Sequence, residues 1–210
     1  IETQARQWLD RYADLVGVGV NYNASNTNVI FGRETECLAG RSYLEEVFGG
    51  LQFQLQADTF FQVNTEAAEA LLESIMAELK LEGGETIVDA YCGIGTFSLP
   101  LAKKLQELGD RSPTEIGVIG LEAQREAIER AKINAELNNL TNVSFSAGKV
   151  EKLLPQLEVK PDIVLLDPPR KGCGEEVVGT LRELLPSWIV YISCKPATLA
   201  RDLQLLCQGG

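Results

Sequence analysis

Two short segments of this chain place reactive side chains directly after apolar runs. Ile192-Ser193-Cys194-Lys195-Pro196 follows Trp188–Tyr191, and Asp167-Pro168-Pro169-Arg170-Lys171 follows Ile163–Leu166. A thiol at the carboxyl end of one buried strand, beside an acid at the end of another, points to covalent chemistry at a crevice more than to packing. Lys195 and the first turn of a helix opened by Pro196 put positive potential next to that sulfur. Two prolines of fixed φ hold Asp167 rigidly at its tip. Arg170 and Lys171 add local positive charge suited to a phosphate contact.

A third segment, Asp89-Ala90-Tyr91-Cys92-Gly93-Ile94-Gly95-Thr96-Phe97, joins an apolar run to a helix. Gly93 and Gly95 permit a tight turn and close approach of a ligand to the backbone, and the new helix presents free N–H groups. Ser98 stands where the dinucleotide fingerprint requires its third glycine. Glu122 ends the next strand, where a carboxylate accepts hydrogen bonds from both hydroxyls of a ribose. The turn and the distal acid favour a nucleoside-containing cofactor without a pyrophosphate, which S-adenosylmethionine fits better than NAD. Cys92 reads as a packed thiol in the loop wall.

These tips need a scaffold, and the hydrophobic pattern supplies one. Thr86–Ala90, Ile116–Leu121, Val143–Ser146, Ile163–Leu166 and Trp188–Ile192 read as five strands. Helices over Phe97–Leu108, about Gln124–Leu137 (Ala127, Ile128, Ala131 and Ala135 inward) and Glu175–Leu185 (Val177, Leu181 and Leu184 inward) alternate with them. This βα alternation predicts a parallel sheet with helices on both faces. A final helix starts at Pro196, with Leu199, Leu203 and Leu206 along it; Arg201 and Asp202 read as exposed residues there, and Gly209-Gly210 end it. A helix over Thr65–Leu79 precedes the alternation, with Ala68, Leu71, Leu72, Ile75 and Leu79 inward. The front of the chain differs in texture: an amphipathic helix (Ile1, Ala5, Trp8, Tyr12, Leu15), then short strands at Val16–Tyr22, Asn28–Phe31 and Leu51–Leu55. A soft boundary near Ala57–Asn64 divides a small α+β section, residues 1–60, from a larger α/β domain, residues 61–210.

Composition narrows the chemistry. At 45% hydrophobic and 23% charged residues the chain is of ordinary globular type, and no stretch reaches the length of a membrane span. A cytoplasmic, monomeric protein is expected. The chain contains no histidine, so imidazole serves here neither as base nor as metal ligand, and Ser-His and Cys-His triads are excluded within it. Five cysteines without close ligand spacing read as thiols, and no metal site is expected. The net charge of −11 argues against a generic polyanion-binding surface, while leaving room for a nucleic-acid substrate held by a separate domain.

Four segments, in this order, closely resemble the S-adenosylmethionine-dependent RNA uracil-5-methyltransferases, which make 5-methyluridine in bacterial 23S ribosomal RNA and transfer RNA. They are Phe60-Phe61-Gln62-Val63-Asn64, Asp89 through Phe97, Asp167-Pro168-Pro169-Arg170-Lys171-Gly172, and Ser193-Cys194-Lys195-Pro196-Ala197-Thr198-Leu199-Ala200-Arg201-Asp202. The resemblance implies a Rossmann-like class I methyltransferase fold preceded by a small α+β section. It implies S-adenosyl-L-methionine held by Gln62, Tyr91, Gly93, Gly95, Glu122 and Asp167, with Cys194 as the catalytic nucleophile toward C6 of uracil. The RNA partner would be 23S ribosomal RNA or, as a further candidate, transfer RNA. Family members continue through two more strands carrying a catalytic glutamate, and usually carry an amino-terminal RNA-binding barrel. The chain is therefore expected to be a catalytic-domain fragment, lacking the last strands of its sheet and unable to complete turnover alone.

Two other readings stay open at this level. Asp167-Pro168-Pro169 is similar to the Asp/Asn-Pro-Pro-aromatic motif of amino-group methyltransferases, with Arg170 in place of the aromatic. A noncatalytic RNA or protein interaction module would keep the fold without the chemistry.

Overall fold

The computed structural model describes residues 1–24, 31–32, 34–109, 112 and 115–208. Its centre is a five-stranded parallel sheet made of β5 (Ile87–Ala90), β6 (Val118–Glu122), β7 (Val143–Ala147), β8 (Ile163–Leu166) and β9 (Trp188–Tyr191), in the order β7-β6-β5-β8-β9. β5 and β8 are buried at every residue because both faces are covered and both edges paired, whereas edge strand β9 leaves Trp188 exposed. The order reverses between β5 and β8, so a crevice opens at their carboxyl ends.

The two-residue period of the strands sorts their side chains into two cores. Ile87, Val118, Ile163 and Leu165 face one side, with α2 (Thr65–Leu79), α3 (Ser98–Leu108) and α4 (Arg125–Leu137). Val88, Ala90, Leu121, Val164 and Leu166 face the other, with α5 (Val150–Leu153), α6 (Glu175–Leu184) and α7 (Pro196–Leu206). Strand and helix limits lie within about two residues of those expected. Asn64 caps α2 by accepting the Ala67 N–H at 3.0 Å, and the helix buries Ala68, Leu72, Ile75 and Leu79 while Leu71 is exposed. In α7 the stripe differs from expectation. Leu203 is exposed, and Asp202, Leu205 and Leu206 form the inward side.

The front section contains α1 (Glu2–Arg11) and two antiparallel pairs, β1 (Gly17–Tyr22) with β2 (Glu34–Gly40) and β3 (Tyr43–Phe48) with β4 (Leu51–Gln56). Along α1 only Ala5 is buried, so its apolar stripe stays mostly at the surface. The strand expected at Asn28–Phe31 falls largely outside the described residues, and Phe31 lies in a bend. β2 and β3 escape the hydrophobic pattern because Glu34, Glu36 and Glu45 are exposed on two-stranded ribbons. The β3–β4 hairpin packs into the first core through Phe48, Leu51 and Phe53. Its free edge is answered by a helix rather than a strand. Asn134 of α4 accepts the Gln54 N–H at 2.8 Å, and Asn138 accepts the Gln52 N–H at 2.9 Å and donates to the Gln52 carbonyl at 2.7 Å.

Candidate active site

The crevice begins where β5 runs out. Tyr91, Gly93 and Gly95 all have positive φ (71°, 55° and 88°), which folds the chain back sharply into α3. Tyr91 and Cys92 both donate their N–H to the Leu121 carbonyl, at 2.8 and 3.0 Å, and Gly95 donates to the Cys92 carbonyl at 2.9 Å. The two glycines differ in what surrounds them. A Cβ on Gly95 would sit 3.1 Å from Leu99 and 3.3 Å from Phe145, whereas one on Gly93 would meet nothing within 4 Å. Gly95 therefore serves packing, and Gly93 faces the open cradle.

Three carboxyl groups border this turn. Glu122, at the end of β6, accepts the Gly93 N–H at 3.3 Å and the Gln124 N–H at 2.8 Å, tying the second strand tip to the first. Asp167, just past β8, is half-buried, and burial pushes its carboxyl up to about 6. Asp89 is 1% exposed. Burial pushes it up to about 7, a hydrogen bond from Ser98 opposes that rise, and the charges of Asp167 and Glu122 add to it. Ser98 donates to Asp89 Oδ2 at 2.5 Å, while Oδ1 has no hydrogen-bond partner among the described residues. Burial also holds the Cys92 thiol well above its ordinary pKa, which keeps it protonated. A crevice with this much acidic character around an open glycine turn favours a positively charged ligand.

Cys194 lies on the neighbouring tip. β9 pairs with β8 through Leu166↔Tyr191, and the Ile192 N–H donates to the Leu166 carbonyl at 2.8 Å, which brings Ile192 level with the start of the Asp-Pro-Pro segment. Cys194 follows two residues later and is exposed. Ser193 braces its turn, accepting the Lys195 N–H at 3.1 Å. Arg170 and Lys171 are exposed on the loop after Asp167, while their carbonyls are held by Thr198 (3.3 Å) and Arg201 (2.9 Å).

The other expected residues are placed less directly. Gln62 is half-buried in the connector between β4 and α2. Its neighbour Phe61 packs at 5.9 Å from both Phe48 and Phe53, and Phe48 also meets Phe97, the residue that leads from the glycine turn into α3. Aromatic packing thus anchors the Gln62 segment close to the turn. Tyr91 contributes its backbone to the turn, but its ring joins the second core beside Cys173, on the opposite face from the first-core helix α3 that meets Asp89. The structure therefore gathers Gly93, Gly95, Glu122, Asp167 and Cys194 along one edge of the sheet.

The family profile described as tRNA (uracil-5-)-methyltransferase matches residues 29–209. The chain belongs to this family. It is 56% identical over 210 residues to a protein of Nostoc sp. described as an uncharacterized RNA methyltransferase, covering 100% of this chain and 44% of that relative. It is 47% identical to a similarly described protein of Synechocystis sp., of which it covers 43%. The chain thus spans less than half the length of these relatives. Among solved structures, the Pyrococcus abyssi tRNA (uracil-54, C5)-methyltransferase in complex with S-adenosyl-L-homocysteine aligns with a TM-score of 0.74 at 31% identity, over 95% of this chain and 46% of that one. Pyrococcus abyssi Trm5b, at 18% identity and a TM-score of 0.60, shares the fold.

Two features of this family member lie beyond what its sequence pattern conveys. Asp89 becomes a buried, half-satisfied acid at the crevice; the signal available was the one used for Asp167, an acid closing a buried strand. Asp202 is 0% exposed, in contrast to its reading as a surface residue of α7. Its carboxylate receives the Tyr191 O–H, the Cys173 N–H and the Arg201 guanidinium. The spacing Asp202, Leu205, Leu206 marks that helix face, but a charged residue heading an apolar stripe is normally assigned to solvent.

Proposed function

We propose that this chain is the catalytic domain of an S-adenosylmethionine-dependent RNA uracil-5-methyltransferase, with Cys194 as its nucleophile. The observation that carries this reading is the exposed thiol of Cys194 on the strand tip beside Asp167, at the edge of an acidic crevice in a chain of this family. The crevice suits the cofactor on its own chemistry. The open side of Gly93 admits a ligand against the backbone, Glu122 offers acceptors to a ribose, and the half-buried Asp167 answers a cationic amino acid or sulfonium. When bound, S-adenosylmethionine would supply an electrophilic methyl group at the mouth of the crevice.

The residues of this chain act on the base. C5 of uracil is a poor nucleophile, so the Cys194 sulfur adds to C6, the C5–C6 double bond opens, and C5 gains enolate character. After C5 is methylated, its proton passes to a base, the C5–C6 double bond re-forms and the C6–S bond breaks, returning the Cys194 thiolate that added at the start. We assign that base to a carboxylate in the remainder of the longer protein. A uridine reaches the tip only when unpaired or flipped out of its stack, and Arg170 and Lys171 are exposed beside the entrance to hold its phosphates. The acidic balance of this chain leaves most RNA affinity to the rest of the protein.

We propose 23S ribosomal RNA as the target on the resemblance of the front section to the ribosomal branch. The solved relative is a transfer-RNA enzyme, so both RNAs belong in the assay. Full-length protein is incubated with each RNA carrying 5-fluorouridine, whose C5 fluorine blocks the last proton removal. A denaturation-resistant adduct is expected with wild type and none with Cys194→Ala; methyl transfer at the normal rate by Cys194→Ala would sink the cysteine mechanism.

A further inference from the structure

Helix α7 begins two residues after Cys194, and its first two turns hold the loop that follows Asp167. The Asp202 carboxylate accepts four hydrogen bonds: on Oδ2 from the Cys173 N–H at 2.8 Å and the Tyr191 hydroxyl at 2.6 Å, on Oδ1 from Arg201 Nε at 2.8 Å and Nη2 at 2.6 Å. A carboxylate has about four such sites, so this buried charge is saturated. The guanidinium it holds turns back to the loop. Arg201 Nη2 donates to the Lys171 carbonyl at 2.9 Å and the Cys173 carbonyl at 3.2 Å, and Thr198 donates to the Arg170 carbonyl at 3.3 Å. At the centre is Gly172, with φ 77°, where a Cβ would come within 2.4 Å of Asp202 Oδ2 and 2.7 Å of Arg201. The loop and the helix are fitted to each other without room for a methyl group.

Asp202 thus joins three segments: the end of β9 at Tyr191, which feeds the Cys194 turn; α7, which leaves it; and the loop carrying Arg170 and Lys171. Cys194 itself is exposed while the frame on either side of it is clamped. Resting on the function proposed above, we propose that Asp202 and Arg201 are positioning residues, a latch that sets the Cys194 tip against the Asp167 tip so that one uracil reaches thiol and cofactor together. Two strand tips joined only by their sheet could drift by the fraction of an ångström that separates a productive from an unproductive attack. The latch removes that freedom without touching the reacting atoms.

The test uses the full-length protein and its Asp202→Asn, Tyr191→Phe and Cys194→Ala variants. Three rates or affinities are read for each: adduct formation with 5-fluorouridine RNA, S-adenosylmethionine binding by calorimetry, and alkylation at Cys194 by iodoacetamide, followed by site-resolved mass spectrometry. Asp202→Asn removes the charge and one of the two acceptor oxygens, and with it two of the four acceptor sites, in the same shape. It is expected to slow adduct formation by about 10- to 100-fold, the scale of a misplaced reacting group. Cofactor affinity and alkylation should change by less than about threefold, because a small reagent needs no alignment with a second tip. Tyr191→Phe should lower adduct formation in the same direction by less, and it supplies the reading if Asp202→Asn does not fold. Adduct formation at the wild-type rate in the folded variants overturns the latch, as does a proportional loss of all three readouts, which marks a scaffold role only. Failure of wild type itself to form an adduct overturns the function proposed above, and the latch with it.

Discussion

Asp89→Asn should stabilise the protein at alkaline pH and do little in acid. In the folded chain burial pushes the Asp89 carboxyl up to about 7 from an ordinary value near 3.8. Between those two pH values the folded state holds a proton that the unfolded state has released. Stability from this group is therefore fully present below about pH 4, declines as pH rises, and levels off above pH 7. Each pKa unit corresponds to ~1.4 kcal/mol, so the cost of ionising the buried carboxyl amounts to roughly 4 kcal/mol at pH 8. Asparagine keeps the shape and a carbonyl oxygen for the Ser98 hydroxyl, which sits 2.5 Å from Oδ2, and never ionises. Its amide also brings a donor to the oxygen position that lacks a partner, a gain or loss of about 1 kcal/mol depending on what it meets. The net expectation is a stabilisation of about 2–4 kcal/mol at pH 8, shrinking to about 1 kcal/mol or less at pH 4.5. Urea unfolding of wild type and variant at pH 4.5, 6 and 8 measures the difference, in which carboxyls remote from Asp89 cancel. A difference that is flat across pH, or a variant less stable than wild type at pH 8, would refute the placement of an ionisable, desolvated carboxyl at this strand end.

Three further outcomes follow from the same crevice and its supports. Gly93→Ala should cost only about 1 kcal/mol for its positive φ yet weaken S-adenosylmethionine binding several-fold, while Gly95→Ala should lose more stability because its Cβ crowds Leu99 and Phe145; calorimetry beside chemical denaturation separates the two, and the reverse pattern would move the cradle elsewhere. Cofactor affinity should fall about three- to fivefold between pH 7.5 and 5.5 as Asp167, pushed up to about 6, takes a proton and stops answering a cation; titration calorimetry at the two pH values checks it, and a pH-independent affinity would remove Asp167 from the site. Asn134→Ala should destabilise the fold by about 1–3 kcal/mol, because it strips the partner from the Gln54 N–H at the free edge of β4; equal unfolding midpoints would show that this edge needs no such support.

What was legible in the sequence was local. Gly93 and Gly95 announce a turn because few other residues adopt the required backbone, and the four-residue apolar runs of β5 and β8 mark strands covered on both faces. Asp167 and Cys194 stand out because each follows such a run, and four ordered motifs name a family whose profile matches residues 29–209. Strands β2 and β3 were not legible, since Glu34, Glu36 and Glu45 point to water and Phe48 is the one fully buried residue of β3. Nor was the exposed Leu71 in α2, which follows from where the core ends rather than from helical period.

By itself, then, the sequence determined which elements form and which residues stand at their tips, since strand period, helix stripe and turn chemistry depend on near neighbours. Only the tertiary structure decided which tips share a crevice: β5 lies beside β8 and β8 beside β9, so acids and a thiol from distant segments meet along one edge. It also decided that Asp89 and Asp202, alike in sequence as acids in apolar settings, have opposite fates. Asp89 is desolvated with one oxygen unanswered, and its pKa rises; at Asp202 burial pushes upward too, but hydrogen bonds from Tyr191, Arg201 and Cys173 outweigh it and hold the pKa low. The charge state of a carboxyl is set by the sum of everything packed around it, and that sum is taken over segments the chain brings together only by folding.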